Sequence, residues 1–74
     1  MDDKIKSVMA EVFEIPIEEI NIHSSSQNIQ NWDSLKHMNM IITLEEEFGV
    51  SFDEDDIPEI QNFRKILDAL KKLI

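Results

Sequence analysis

Apolar residues recur at helical spacing along this 74-residue chain, and that periodicity constrains its fold more than any other feature. A first amphipathic helix is predicted by apolar side chains at i, i+3, i+4, i+7 and i+8, which are Ile5, Val8, Met9, Val12 and Phe13. The last predicted helix has a similar stripe of Phe63, Ile66, Leu67, Leu70 and Leu73. No segment alternates apolar and polar residues as a strand does, and the chain has no cysteine. We therefore expect one all-α domain over residues 1–74, with a core built by helix packing and without disulfides.

Boundary signals define the first two helices. The Ile15-Pro16 step limits the first helix, because the residue before a proline avoids helical backbone angles. The second helix is predicted over Ser34–Phe48, with Gly49 as its C-terminal cap. A long loop separates the two helices, and Pro16–Ile20 has the composition of a single turn within it. The expected apolar anchors of this loop are Ile20, Ile22 and Ile29.

Two further helices are predicted after Gly49. The Ser51–Glu54 segment fits a capping box for a short third helix that runs through about Ile57 and is limited by Pro58. Asn62 is a favourable N-cap for the last helix. The resulting fold prediction is a small four-helix bundle, with three long helices, one short helix, and a long loop between helices one and two.

The charge balance narrows the classes of partner. Seven basic and sixteen acidic residues give a formal net charge of −9, which opposes binding to nucleic acid or to an anionic membrane and favours a basic protein partner. We expect no membrane span, since no run of about 18 apolar residues exists. The Met1-Asp2-Asp3 start lacks signal-peptide character, and the lack of cysteine fits a reducing compartment, so a cytoplasmic location is expected. No metal site is expected, because His23 and His37 are isolated from each other.

The second helix has two apolar faces. At about 100° per residue, one face consists of Met40, Ile41, Leu44 and Phe48. The other face, on roughly the opposite side, consists of Leu35, Met38 and Ile42. We assign the first face to the core and the second to an exposed patch that binds partners, since a surface helix needs only one buried stripe. The alternative is that both faces are buried because the helix is central.

Acidic residues are concentrated after this patch. Eight of the sixteen lie between positions 45 and 59, and the candidates for partner recognition among them are Glu45, Glu46, Asp53, Glu54, Asp55 and Asp56. A run of charge is usually a solvated face of the molecule. Here the run lies near the patch and near Ser34, which favours a role in steering a basic partner.

Asp33-Ser34-Leu35 is the only segment that resembles a site of chemistry. It places a serine hydroxyl at a predicted helix start, where free backbone N–H groups and the helix dipole stabilise an attached phosphate. Asp33 is then either the N-cap or a contact for a modifying enzyme. The alternative is that Ser34 only caps the helix.

The wider pattern resembles the acyl carrier protein family over nearly the whole chain. The residues that carry the resemblance are Asn31-Trp32-Asp33-Ser34-Leu35, Leu44–Val50 and Phe52. The resemblance implies a right-handed four-helix bundle with 4′-phosphopantetheine joined to Ser34 through a phosphodiester. A phosphopantetheinyl transferase would supply this arm from coenzyme A, and the arm's thiol would hold acyl or aminoacyl groups as thioesters. The carrier itself would be a monomer without catalytic residues.

The family's site features can be transferred by position. Ser34 becomes the attachment site, with Asp33 and Leu35 completing its motif; the apolar patch and the acids Glu45 and Glu46 become recognition positions. Three departures stand out: Lys36 and Asn39 occupy positions that are commonly acidic in carriers of fatty acid synthesis, and Trp32 replaces a small residue. They point to a specialised carrier whose partners are an adenylating ligase or the synthases of a dedicated pathway.

Several questions stay open at this level. His37 is either packed at the end of the bundle or lines an entrance for an acyl chain, and Trp32 either packs on the loop or covers the arm. An unmodified acidic interaction module is an alternative function. A hydrolase would need a base and an oxyanion hole near Ser34, and His37 alone does not provide them. The cargo, whether fatty acyl, polyketide or aminoacyl, is not specified by the sequence.

Overall fold

A computed structural model describes all of residues 1–74. It contains three α-helices, α1 (Asp2–Phe13), α2 (Ser34–Phe48) and α3 (Phe63–Leu73), and two short 3₁₀ turns, Ile17–Glu19 and Ile57–Glu59. It has no β-strand, so the predicted all-α class is confirmed. None of its helices has the length and apolar character that crossing a bilayer requires.

Helix α1 ends just before the Ile15-Pro16 step that was predicted to limit it. The next residue, Glu14, has the left-handed conformation (φ 57°, ψ 46°), and its N–H donates to the Ala10 carbonyl. Pro16 then leads the chain in an extended conformation into the first 3₁₀ turn, so the predicted single turn is confirmed. Because a left-handed backbone is unfavourable for residues with a Cβ, Glu14 is a strained helix terminus.

Helix α2 has the predicted bounds and a defined cap at each end. The carboxylate of Asp33 accepts a hydrogen bond from the backbone N–H of Lys36 at 2.8 Å, which satisfies one free donor of the first turn. At the other end Gly49 has φ 65°, and its N–H donates to the Glu45 carbonyl. A Cβ at Gly49 would meet no atom within 4 Å, so only the backbone conformation favours glycine there.

The predicted short third helix is not confirmed. Residues 54–56 form a turn, and Ile57–Glu59 form a 3₁₀ turn in place of an α-helix. The capping box at Ser51 does not form, because the Phe52 N–H donates to the Glu45 carboxylate at 2.9 Å and the Phe52 ring is buried in the core. Pro58 lies inside the 3₁₀ turn and does not end a helix.

Helix α3 begins as predicted and differs at its end. The Asn62 side chain accepts from the Lys65 N–H at 2.8 Å, which confirms the N-cap. Leu73 was assigned to the buried stripe, but this assignment is wrong, since its side chain is 38% exposed. Leu70 is the last buried residue of α3, and the final turn extends past the core.

One hydrophobic core joins the three helices with residues from the connecting segments. Its 16 members are Ile5, Val8, Met9, Phe13, Ile20, Ile29, Trp32, Met40, Ile41, Leu44, Phe52, Ile60, Phe63, Ile66, Leu67 and Leu70. Two of the three predicted loop anchors belong to this core. The prediction for the third, Ile22, is wrong, because its side chain is 46% exposed. Ile22 lies at the tip of a turn that is closed by a hydrogen bond from the Ser24 N–H to the Asn21 carbonyl.

The long loop is fixed to the start of α3. The Ser24 carbonyl accepts from the Phe63 N–H, and the Ser26 N–H donates to the Gln61 carbonyl, each at 2.9 Å. These bonds form an isolated antiparallel bridge. Ser24 is also the only buried polar residue, and its hydroxyl accepts from the Asn21 N–H. The loop therefore holds the chain in a defined path before it enters α2.

Candidate functional site

Ser34 is the first residue of α2 and is exposed. Its hydroxyl forms no hydrogen bond within the chain, and the backbone N–H groups of Ser34 and Leu35 also have no partner there. Asp33 performs the capping, so the interpretation of Ser34 as merely an N-cap is wrong. The hydroxyl is thus free to react at a helix N-terminus that has donors to spare.

The surroundings of Ser34 suit a phosphodiester on its oxygen. An anion at this position lies at the positive end of the α2 dipole, close to the unpaired N–H groups. The nearest ammonium along the helix, that of Lys36, is paired with the Glu14 carboxylate at 3.0 Å. The helix terminus is therefore the main source of positive potential for a phosphate here.

An open groove of about 490 Å³ begins at Ser34. It is lined by Ser26, Trp32, Asp33, Ser34, His37, Met38 and Gln61. The Ser26 hydroxyl donates to the Gln61 side-chain oxygen at 3.1 Å, and the Gln61 amide donates to the Pro58 carbonyl at 2.8 Å. Sequence reasoning missed Ser26 and Gln61, because only the fold brings residues so distant in sequence together.

Trp32 and His37 form a connected unit next to this groove. The Trp32 ring stacks on the buried Phe13 ring with 4.6 Å between centroids, and its Nε1–H donates to His37 Nδ1 at 3.0 Å. Nδ1 must therefore be the acceptor, which places the imidazole proton on Nε2, where it donates to the Ile57 carbonyl at 2.8 Å. Trp32 is buried in the core, and His37 is half-buried at the end of the bundle.

The arrangement around Ser34 does not form a hydrolytic site. Both ring nitrogens of His37 are engaged, one with Trp32 and one with Ile57, so neither is free to accept the Ser34 proton. The groove offers no second imidazole, since His23 lies in a different part of the long loop. No imidazole is therefore available to activate the Ser34 hydroxyl.

The two apolar faces of α2 are separated as predicted. Leu35, Met38 and Ile42 are 70%, 42% and 51% exposed and form the apolar patch. On the opposite face Met40, Ile41 and Leu44 are fully buried, while Phe48 is half-buried. The alternative that both faces are buried is therefore wrong, and the patch begins directly beside Ser34.

The acidic candidates fall into two groups. Glu46 and the run Asp53–Asp56 are exposed, and their side chains take part in no hydrogen bond or ion pair within the chain. Glu45 is half-buried, and one of its carboxylate oxygens accepts from the Phe52 N–H at 2.9 Å. Glu45 therefore has a structural task that the sequence did not indicate, in addition to any contact with a partner.

Comparison with known proteins yields one family. Residues 3–70 match the family model described as the phosphopantetheine attachment site. The acyl carrier protein of Chlamydia caviae is 30% identical over 71 residues, covering 96% of this chain and 92% of that protein. That of Thermosynechococcus vestitus is 26% identical over 72 residues, covering 97% and 89%. The solution structure of a holo acyl carrier protein from Geobacter metallireducens aligns with a TM-score of 0.84 at 27% identity, covering 96% of this chain and 82% of the other. The chain therefore belongs to the acyl carrier protein family.

Proposed function

We propose that Ser34 carries the covalent 4′-phosphopantetheine of this carrier, and that the loaded arm presents acyl or aminoacyl thioesters to separate enzymes. The observation that carries the proposal is the free, exposed hydroxyl of Ser34 at the first residue of α2, with capping left to Asp33. Leu35 completes the motif on the other side of the serine. The chain itself performs no catalysis in this scheme.

Attachment would proceed on a transferase that binds coenzyme A. The Ser34 oxygen attacks the phosphorus that bears the pantetheine group, and a new O–P bond forms. The bond from that phosphorus to the bridging oxygen of the diphosphate breaks, and adenosine 3′,5′-bisphosphate leaves. The hydroxyl proton passes to a base of the transferase. The α2 N-terminus then stabilises the resulting phosphodiester anion.

Partner enzymes would recognise the chain through the apolar patch and the acids near it. The patch of Leu35, Met38 and Ile42 adjoins Ser34 and would be buried on docking, which favours association. Exposed carboxylates at Glu46 and Asp53–Asp56, with Glu45 at the patch's edge, would steer a basic docking surface towards it. The partners are a phosphopantetheinyl transferase and the ligase or synthases that load and use the arm. We propose a monomer that acts in the cytoplasm.

A specialised pathway is favoured over general fatty acid synthesis. Lys36 replaces an expected acid and is held by Glu14, and Asn39 replaces another, so the start of α2 is less acidic than the resemblance implies. Within this proposal, the alternative to an acyl cargo is an aminoacyl group loaded by an adenylating ligase. The arm-bearing chain is incubated with a ligase that loads acyl groups or with one that loads amino acids. The mass gained in each case distinguishes the two cargoes.

Intact mass spectrometry tests the attachment site. After incubation with coenzyme A and a broad-specificity transferase, the wild type gains one phosphopantetheine unit and Ser34→Ala gains none. Ser26→Ala is the matched control: it removes a hydroxyl from the same groove and should be modified like the wild type. Modification of Ser34→Ala would exclude Ser34. A wild-type chain that stays unmodified, beside an active control carrier, would favour an unmodified interaction module.

A further inference from the structure

The groove at Ser34 reaches the hydrophobic core only at Trp32. Three depressions are present on the molecule, and each is open to solvent. Each contacts the hydrophobic core through a single core member, Trp32, Ile29 or Ile60, and none is lined by a fully buried side chain. A chain attached at Ser34 therefore starts in a surface groove without an open path to the interior.

His37 occupies the seam between α2 and the second 3₁₀ turn. Its ring joins α2 to that turn through the Ile57 carbonyl, and to the long loop through the Trp32 indole. Trp32 in turn stacks on Phe13 at the end of α1. The imidazole thus connects α2 directly to the second 3₁₀ turn and to the long loop, and through Trp32 to the end of α1.

Opening the seam would be unfavourable. A chain that passed beside His37 would separate it from both partners, leaving the indole N–H and the Ile57 carbonyl without hydrogen bonds in a partly buried place. The groove outside offers an alternative resting place with polar groups, among them the Ser26 hydroxyl and the Gln61 amide. Cargo with polar groups can be accommodated there without any change in the core.

We propose that His37 is a specificity-determining residue: it holds the seam closed, so that this carrier keeps its cargo in the outer groove. The favoured cargo is an acyl group that is short or polar enough to be stable in water, and long apolar chains are disfavoured. The inference rests on the proposed attachment at Ser34 and adds the class of cargo.

Thermal unfolding of loaded carriers tests this inference. The transferase is used with acetyl- or octanoyl-coenzyme A, and intact mass confirms loading before each melt. An octanoyl chain that enters the core adds buried apolar surface and stabilises the fold, whereas one that stays outside does not. For the wild type, the acetyl and octanoyl forms should melt within about 1 °C of each other. For His37→Ala, the octanoyl form should melt higher by about 5 °C or more.

Two further variants keep the test independent of how well His37→Ala folds. Trp32→Phe retains a ring on Phe13 but removes the donor to His37, and should show a shift in the same direction as His37→Ala. His23→Ala, which removes an exposed loop imidazole that has no side-chain hydrogen bond, should behave like the wild type.

The outcomes separate this inference from the proposed function. Octanoyl stabilisation of the wild type equal to that of the variants would overturn the inference and leave Ser34 as the attachment site. Equal melting of acetyl and octanoyl forms in every variant would also overturn it, since His37 would then not be what excludes the chain. A wild-type chain that accepts no arm would overturn both proposals.

Discussion

The two apolar faces of α2 contain the same kinds of residue in opposite environments. Leu44 on the inner face is fully buried, whereas Leu35 on the outer face is 70% exposed; the same contrast separates Ile41 from Ile42. The inner face contributes to the core, while the three residues of the outer face do not belong to it. Residue type alone therefore does not indicate whether a side chain of α2 serves stability or recognition.

The contrast assigns separate tasks to the two sides of one helix. Burial of the inner face contributes to the free energy of folding, which is small in total for a domain of this size. The outer face remains exposed in the folded chain, as surfaces that bind partners commonly do, and so contributes little to folding. Substitutions on the two faces should therefore affect different measurements.

The largest expected effect is on the inner face. Leu44→Ala should lower the free energy of unfolding by about 2–5 kcal/mol, because it leaves a cavity in a closely packed core. Leu35→Ala, the matched substitution on the outer face, should change it by no more than about 0.5 kcal/mol. Urea denaturation followed by circular dichroism measures both values. Similar losses for the two variants would contradict the division between the faces.

The next effect concerns recognition by the outer face. Ile42→Ala should reduce kcat/KM of the transferase by about 5–30-fold, equivalent to roughly 1–2 kcal/mol of lost contact, while the urea midpoint stays near that of the wild type. Thr43→Ala is the control on the same helix, since its hydroxyl bonds to the Asn39 carbonyl of its own helix. If Ile42→Ala were modified at the wild-type rate, the patch would not contribute to recognition by the transferase.

Gly49 tests whether the end of α2 depends on packing or on backbone conformation. Gly49→Ala should lower stability by about 1 kcal/mol through the left-handed backbone alone, since the added methyl group would meet no atom. Calorimetry or urea denaturation gives the value. If the loss approached that of Leu44→Ala, the end of the helix would have to be constrained by contacts and not only by its φ angle.

The smallest expected effect is that of a charge change at Lys36, next to the start of the patch, and it distinguishes electrostatic from apolar recognition. Lys36→Glu should change stability by less than about 1 kcal/mol, because the Lys36–Glu14 pair lies at the surface. It should raise kcat/KM of a transferase with a basic docking surface by a few-fold at low salt, and the gain should disappear at high salt. The ionic-strength dependence of the initial rate is the measurement. A gain that persists at high salt would rule out an electrostatic cause.

Short-range signals in the sequence predicted much of this fold, and long-range contacts account for the errors. The bounds of α2, its two faces and the Asn62 cap all depend on residues within a few positions of one another. The predicted short third helix failed because Phe52 and its N–H are used by the core and by Glu45, which lies on another element. Local patterns do not record such competition.

The same distinction between short-range signals and long-range contacts applies to the candidate site. The sequence placed Ser34 and Asp33 correctly at a helix start, because a cap and the residue after it are neighbours in the chain. It left the roles of Trp32 and His37 open, since these depend on Phe13 and Ile57, which approach only in the folded chain. Gln61 gave no signal at all, because nothing near it in sequence indicates that it faces Ser26.

The bridge between the long loop and the start of α3 has a consequence for local unfolding. Because the Ser26 N–H bonds to Gln61 and the Phe63 N–H bonds to Ser24, neither segment can open without releasing the other. The two amides should therefore exchange with deuterium at a common opening free energy, as members of one cooperative unit. A partner that bound the start of α3 would therefore slow amide exchange in the long loop as well. Binding at α3 would in this way restrict the segment that leads to Ser34.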